Sequence, residues 1–93
     1  MSRRLSVHEA AEAEIIEAAD HYDLASPDLG NEFIDAVERA ITGIIEHPEA
    51  APLIRGRVRK RAIARFPYSL VYSVWPDEVR ILAVAHQRRR PYY

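Results

Sequence analysis

Cysteine is absent from this 93-residue chain. Without it there is no disulfide framework, no thiolate metal site and no thiol nucleophile. Glycine occurs only 3 times, which leaves no glycine-rich loop to cradle a nucleotide phosphate. No apolar run approaches the roughly 20 residues that span a bilayer. The opening MSRRLSV lacks the apolar stretch of a signal peptide. These absences together lead us to expect a cytoplasmic protein without membrane contact. The histidines, His8, His21, His47 and His86, are scattered without ligand spacing, so neither a metal nor a cofactor is expected. Ser69 and Ser73 lack the motif context of a catalytic triad.

What is present is unevenly placed. The hydrophobic fraction of 48% suffices for a core, and the length argues for a single domain over residues 1–93. The net charge of −1 conceals a balance of −9 in residues 1–50 and +8 in residues 51–93. Such a split suggests that one face meets an anion. Of the 13 basic residues, 12 are arginine, whose planar fork matches phosphate and carboxylate. High-GC codon usage also favours arginine, but it does not explain the clustering.

The residue pattern predicts an α+β fold. Arg3 to Ser6 reads as a first strand, and Ser6-x-x-Glu9 as a capping box opening a helix. Ala11, Ile15, Ala18 or Ala19, and Tyr22 recur at helical spacing. Ser26-Pro27 is read as the start of a second helix, with Leu29, Phe33, Val37, Ile41 and Ile44 as its apolar stripe. His47 is placed in its last turn, and Pro48 stops it. Residues 58–66, Ser69 to Trp75 and Val79 to Ala85 then read as three strands, with Trp75-Pro76-Asp77-Glu78 as a turn. The expected architecture is therefore an N-terminal strand, a helical hairpin and a three-stranded antiparallel meander. Expected core residues include Phe33, Val37, Ile41, Ile44, Leu70, Tyr72, Val74, Ile81 and Ala83.

Arg55, Arg57, Arg59, Arg61 and Arg65 all fall on odd positions, so an extended segment sends them to one face. Ala62, Ala64 and Phe66 would then face the core, with Ile63 interrupting the basic row. Adjacent guanidinium groups repel, so such a row gains nothing for folding unless an anionic partner compensates. A solvated, aggregation-resistant strand face is the simpler alternative. The chain ends His86-Gln87-Arg88-Arg89-Arg90-Pro91-Tyr92-Tyr93. Histidine or tyrosine can move a proton, arginine can stabilise developing charge, and tyrosine can stack on a base. A plain basic, aromatic tail would look the same. We take Arg59, Arg61, Arg65, Arg88, Arg89 and Arg90 as the expected target-binding residues.

These features together resemble the RelE/ParE toxin superfamily, and the matching residues run in order along nearly the whole chain. They comprise Ala11 to Tyr22, Ser26-Pro27-Asp28-Leu29-Gly30 with Phe33, His47-Pro48, and Gly56 with Val58-Arg59. Arg65-Phe66-Pro67-Tyr68, Leu70-Val71-Tyr72, Ile81 to His86 and Arg88-Arg89-Pro91 complete the set. The resemblance implies a bacterial or archaeal toxin that arrests growth, of the plasmid-stabilisation kind. It also implies neutralisation by a cognate antitoxin in a hetero-oligomeric complex. Its RelE-like branch cleaves messenger RNA in the ribosome and carries an arginine immediately before the Leu-Val-Tyr strand. Ser69 stands there in this chain. Phe66-Pro67-Tyr68 looks more like the ParE-like branch, which inhibits DNA gyrase. The resemblance thus implies a ParE-like gyrase poison rather than an enzyme. The alternatives are a RelE-like ribonuclease, with His86, Arg88, Tyr92 and Tyr93 as candidate catalytic residues, and a non-toxic module that only pairs with its antitoxin on operator DNA.

Overall fold

The computed structural model describes residues 3–87. Strand β1 (Arg4–Val7) leads into helices α1 (Glu9–Ala25) and α2 (Leu29–Glu46). Strands β2 (Leu53–Arg55), β3 (Val58–Ala62), β4 (Tyr68–Trp75) and β5 (Glu78–His86) follow. Both helices form where apolar residues recur at three and four positions. α1 buries small residues, Ala11, Ala18 and Ala19, and packs Ile15 and Tyr22 against the core. α2 buries a larger stripe, including Phe33, Val37 and Ile44.

The helix starts differ from those read in the sequence. α1 is capped by His8, whose Nδ1 accepts the Ala10 N–H at 3.0 Å. Ser6 stays in β1, opposite Arg80, and its hydroxyl donates to Glu78. Pairing of β1 with β5 needs residues 6 and 7, so the helix cannot begin earlier. Ser26 closes α1, giving its N–H to Tyr22 O. Asp28, in the left-handed region at φ 66°, precedes α2 without capping it. The Gly30 N–H is taken instead by Asp23 Oδ1 of α1, at 2.8 Å. The helices meet so closely here that a Cβ on Gly30 would stand 2.5 Å from Ala19 O. His47 lies just past α2 as its C-cap, donating its N–H to Gly43 O.

The sheet has the order β1-β5-β4-β3-β2. β1 runs parallel to β5, and the remaining neighbours are antiparallel. The meander therefore has four strands rather than three, because residues 53–55 add a short outer strand. Strand β3 stops at Ala62 instead of running on to residue 66. Arg65 adopts φ 73° in the following turn, and Phe66 folds back, its N–H reaching Ile63 O. Ile63 and Phe66 are buried, whereas Ala62 and Ala64 are exposed. The expected alternation is thus reversed at residues 62–64: the odd positions of β3 face the helices.

Both helices cover one face of the sheet. On that face Leu70, Tyr72, Val79, Ile81 and Val84 are buried. Tyr22, Phe33, Phe66 and Tyr68 form a contiguous aromatic cluster, with neighbouring centroids 5.0 Å apart for Tyr22–Phe66 and 5.1 Å for Phe33–Phe66. Ile41 and Val74 are only partly buried but pack against the core. Ala83 does not join it. A bulge at Leu82 pairs Val71 with Ala83 and Tyr72 with Ile81, which turns Ala83 to the uncovered face and gives its place to Val84.

Candidate functional site

The arginine row does not form one exposed face. Arg59 is the cross-strand partner of Tyr72, and Arg61 that of Leu70, so both point toward α2. Arg59 Nη1 donates to Glu49 O at 3.0 Å and to Ala51 O at 2.7 Å. The Arg61 guanidinium fills the space that a Cβ on Gly43 of α2 would need. Arg65 leaves the strand altogether and pairs with Glu32 of α2 at 3.0 Å. Long arginine stems lie along apolar surface while their heads reach carbonyls and water, so these side chains serve the junction between α2 and the sheet. Arg55 ends the outer strand and is exposed. Arg57, in the turn at Gly56, reaches the uncovered side, where its guanidinium lies 4.4 Å from the Trp75 ring centroid.

The face not covered by helices has its own cations. Lys60 stands opposite Val71, and Arg80 opposite Ser73. Arg80 also approaches the Trp75 ring, at 5.8 Å, and is held by Glu78 at 3.2 Å. The hydrogen bond from Arg80, then that from Ser6, holds the Glu78 carboxyl below its ordinary value. Trp75 Nε1 donates to Ser73 Oγ at 3.0 Å. Ser69, only 4% exposed, sits between Ala62 of β3 and Ala85 of β5. Both cross-strand neighbours of Ser69 are alanines, so neither brings a guanidinium to it. A basic rim with one aromatic ring suits anionic or flat partners.

A groove of about 480 Å³ opens between α1 and the far end of β4 and β5. Glu14, Glu17 and His21 of α1 line one wall, and Tyr68, Val84 and His86 the other. Glu14 Oε1 accepts the Val84 N–H at 2.9 Å, which ties α1 to the strand just past the bulge. The Tyr68 and His86 rings meet edge to face at 4.9 Å. His86 is thus brought beside a second histidine, two carboxylates and a phenol. Helical spacing at positions 14, 17 and 21 carries half of this arrangement in the sequence, while the opposite wall depends on strand register. Among the described residues, no group of three or more histidine or acidic side chains is placed to hold a metal ion. No helix among the described residues is long and apolar enough to cross a membrane. Arg88, Arg89, Arg90, Tyr92 and Tyr93 lie outside the described residues.

Comparison with known proteins identifies a family and a fold. Residues 5–91 fit the family described as ParE toxin of type II toxin-antitoxin system, parDE. Toxin ParE2 of two Mycobacterium tuberculosis strains is 36% identical over 96 residues, spanning 98% of this chain and 88% of the relative. The fold is that of the chromosomal ParDE system from P. aeruginosa, at a TM-score of 0.80 and 19% identity, covering 91% of this chain and 96% of that one. It is also that of the isolated E. coli RelE toxin, at a TM-score of 0.68 and 22% identity, covering 99% and 92%. The chain belongs to the ParE toxin family of type II toxin–antitoxin systems.

Proposed function

We propose that this toxin poisons DNA gyrase in the cytoplasm, arrests growth, and is neutralised by its cognate antitoxin. The observation that carries the gyrase reading is the environment of Ser69. A ribonuclease acting through the RNA 2′-hydroxyl must stabilise extra negative charge on the phosphate, and losing one preplaced donor typically costs about 100- to 1,000-fold in rate. Ser69 stands between two alanines, and Arg65, the nearest arginine in sequence, is drawn away to Glu32. This face suits a stoichiometric partner better than phosphoryl chemistry. The test is purified toxin against gyrase supercoiling, alongside primer-extension mapping on translated messages. Inhibited supercoiling with intact messages is the expected result. Toxin-dependent cuts within codons, with gyrase unaffected, would reverse the assignment.

The ribonuclease reading is favoured by one observation only, the gathering of His86, His21, Tyr68 and two carboxylates around one groove. Histidine, tyrosine and carboxylate are all types that can move protons, but the two carboxylates repel a phosphate. Normal growth of cells holding abundant soluble toxin would point instead to a non-toxic module that binds antitoxin alone.

A further inference from the structure

We propose that the outer edge of β2 receives an extended, acidic segment of the antitoxin as an added strand. The proposal rests on the toxin–antitoxin reading above and assigns the surface that the partner covers. β2 ends the sheet order, so no strand lies beyond it among the described residues. Pro52 O accepts the Lys60 N–H at 3.2 Å, facing β3. By strand alternation the Leu53 N–H and C=O then point outward, free for an incoming chain. Leu53 pairs with Arg59, and the register shift between Leu53 and Arg55 leaves Ile54 without a residue opposite it.

The side chains make this edge unusual. Leu53 is 56% exposed and Ile54 54%, two adjacent large aliphatics in a three-residue strand. Proteins blunt free edges with short strands, bulges and charge. This edge is short and bulged and ends in Arg55, yet two of its three residues are exposed aliphatics. β1, the opposite edge, exposes one aliphatic, Leu5, flanked by Arg4 and Ser6, whose side chains engage Asp77 and Glu78. A strand laid on β2 would cover Leu53 and Ile54 together. Because so short an edge offers few main-chain groups, these two side chains carry most of the affinity.

Charge decides the occupant. Arg55 and Arg57 follow the pair, both are exposed, and neither has a carboxylate partner among the described residues. A second copy laid edge to edge would add its own Arg55 and Arg57 to an already basic strip rather than neutralise it. An acidic strand is attracted by the same groups.

Amide hydrogen exchange on the full chain, with and without the full-length antitoxin, tests this directly. Binding is expected to slow exchange in residues 53–57. Leu53→Asp and Ile54→Asp should each weaken the complex about tenfold or more while leaving circular dichroism and Tm unchanged. Leu24→Asp, at an 88% exposed position on α1, should leave affinity unchanged. A complex that forms with unaltered exchange at 53–57, or with protection confined to the helices, overturns the edge assignment while the toxin–antitoxin reading stands. Normal binding by both aspartate variants overturns it equally, as does protection of the edge by self-association in the toxin alone. Failure of the antitoxin to bind at all overturns both.

Discussion

Arg59 and Tyr72 stand opposite one another across β3 and β4, and both bind carbonyls of the loop between α2 and β2. The Tyr72 hydroxyl donates to Pro48 O at 2.8 Å, while Arg59 reaches Glu49 O and Ala51 O. The loop is thereby fastened to the middle of the sheet by two side chains from different strands. Tyr72 is fully buried, and Arg59 only partly.

Removing either fastening should act on stability. Tyr72→Phe leaves the Pro48 carbonyl short of a donor and should cost about 1–3 kcal/mol, read from urea unfolding. Arg59→Ala should destabilise in the same range, with toxicity per folded molecule unchanged. Loss of toxicity at full stability would instead support the target-binding role expected of Arg59.

Stability should fall at both ends of the pH scale. Burial raises the Tyr72 phenol above its ordinary value, outweighing Arg59 and Arg61, which lower it. Tyr22 is raised by burial and then by Tyr68. A raised acid favours the neutral form in the fold, so its contribution is complete below about pH 10 and lost as pH climbs through the folded-state values. Tm should therefore decline above about pH 10, more gently in Tyr72→Phe. Glu78 behaves in the opposite sense. Its carboxyl is depressed by Arg80 and Ser6, so its contribution is present above the unfolded value and disappears as pH falls through the folded one. In Glu78→Gln that part of the acid loss should be missing from a Tm profile.

Gly43 and Arg61 should be coupled with a change of sign. Gly→Ala within a helix ordinarily stabilises by about 1 kcal/mol. Here the new methyl meets the Arg61 guanidinium, so Gly43→Ala should be neutral or destabilising in the parent protein. In an Arg61→Ala background the same change should become stabilising by about 1 kcal/mol. A double-mutant cycle by chemical denaturation measures it, and additivity would show that the two residues do not compete for space.

Arg88→Ala and Arg89→Ala should weaken toxicity without changing Tm, because both follow the last strand of the described fold. Growth curves under matched expression, with supercoiling inhibition by the purified variants, provide the check. Tm losses above about 4 °C, the scale of 1 kcal/mol in a domain this size, would instead give the segment a structural role.

The parts of the fold that are legible in the sequence are those set by near neighbours along the chain. The apolar stripes of α1 and α2, the turn at Pro76-Asp77 and the strands around it are each visible within a short window. Period two shows that Arg59 and Arg61 share a face, but not which face. Ile63 holds the answer: an aliphatic in the same odd series marks that face as the buried one, and arginine stems can follow it there. The bulge at Leu82, which moves Ala83 out and Val84 in, has no local marker. Nor has the groove, whose second wall depends on β4–β5 register placing His86 opposite Tyr68. At Ser6 a capping pattern and a strand partner compete for the same residue, and Glu78, far along the chain, decides for the strand.

The parallel ladder pairs Arg4 with Glu78 and Val7 with Ile81. Among the described strands, the first in the chain thus finds its sheet neighbour in the last. Chains emerge from the ribosome N-terminus first, so β1 and the helical hairpin must wait, without their full platform, until β5 has been made. No truncated product ending before β5 can assemble this sheet. Closure of the sheet at β1 therefore waits on β5, whatever the order in which the strands between them pair.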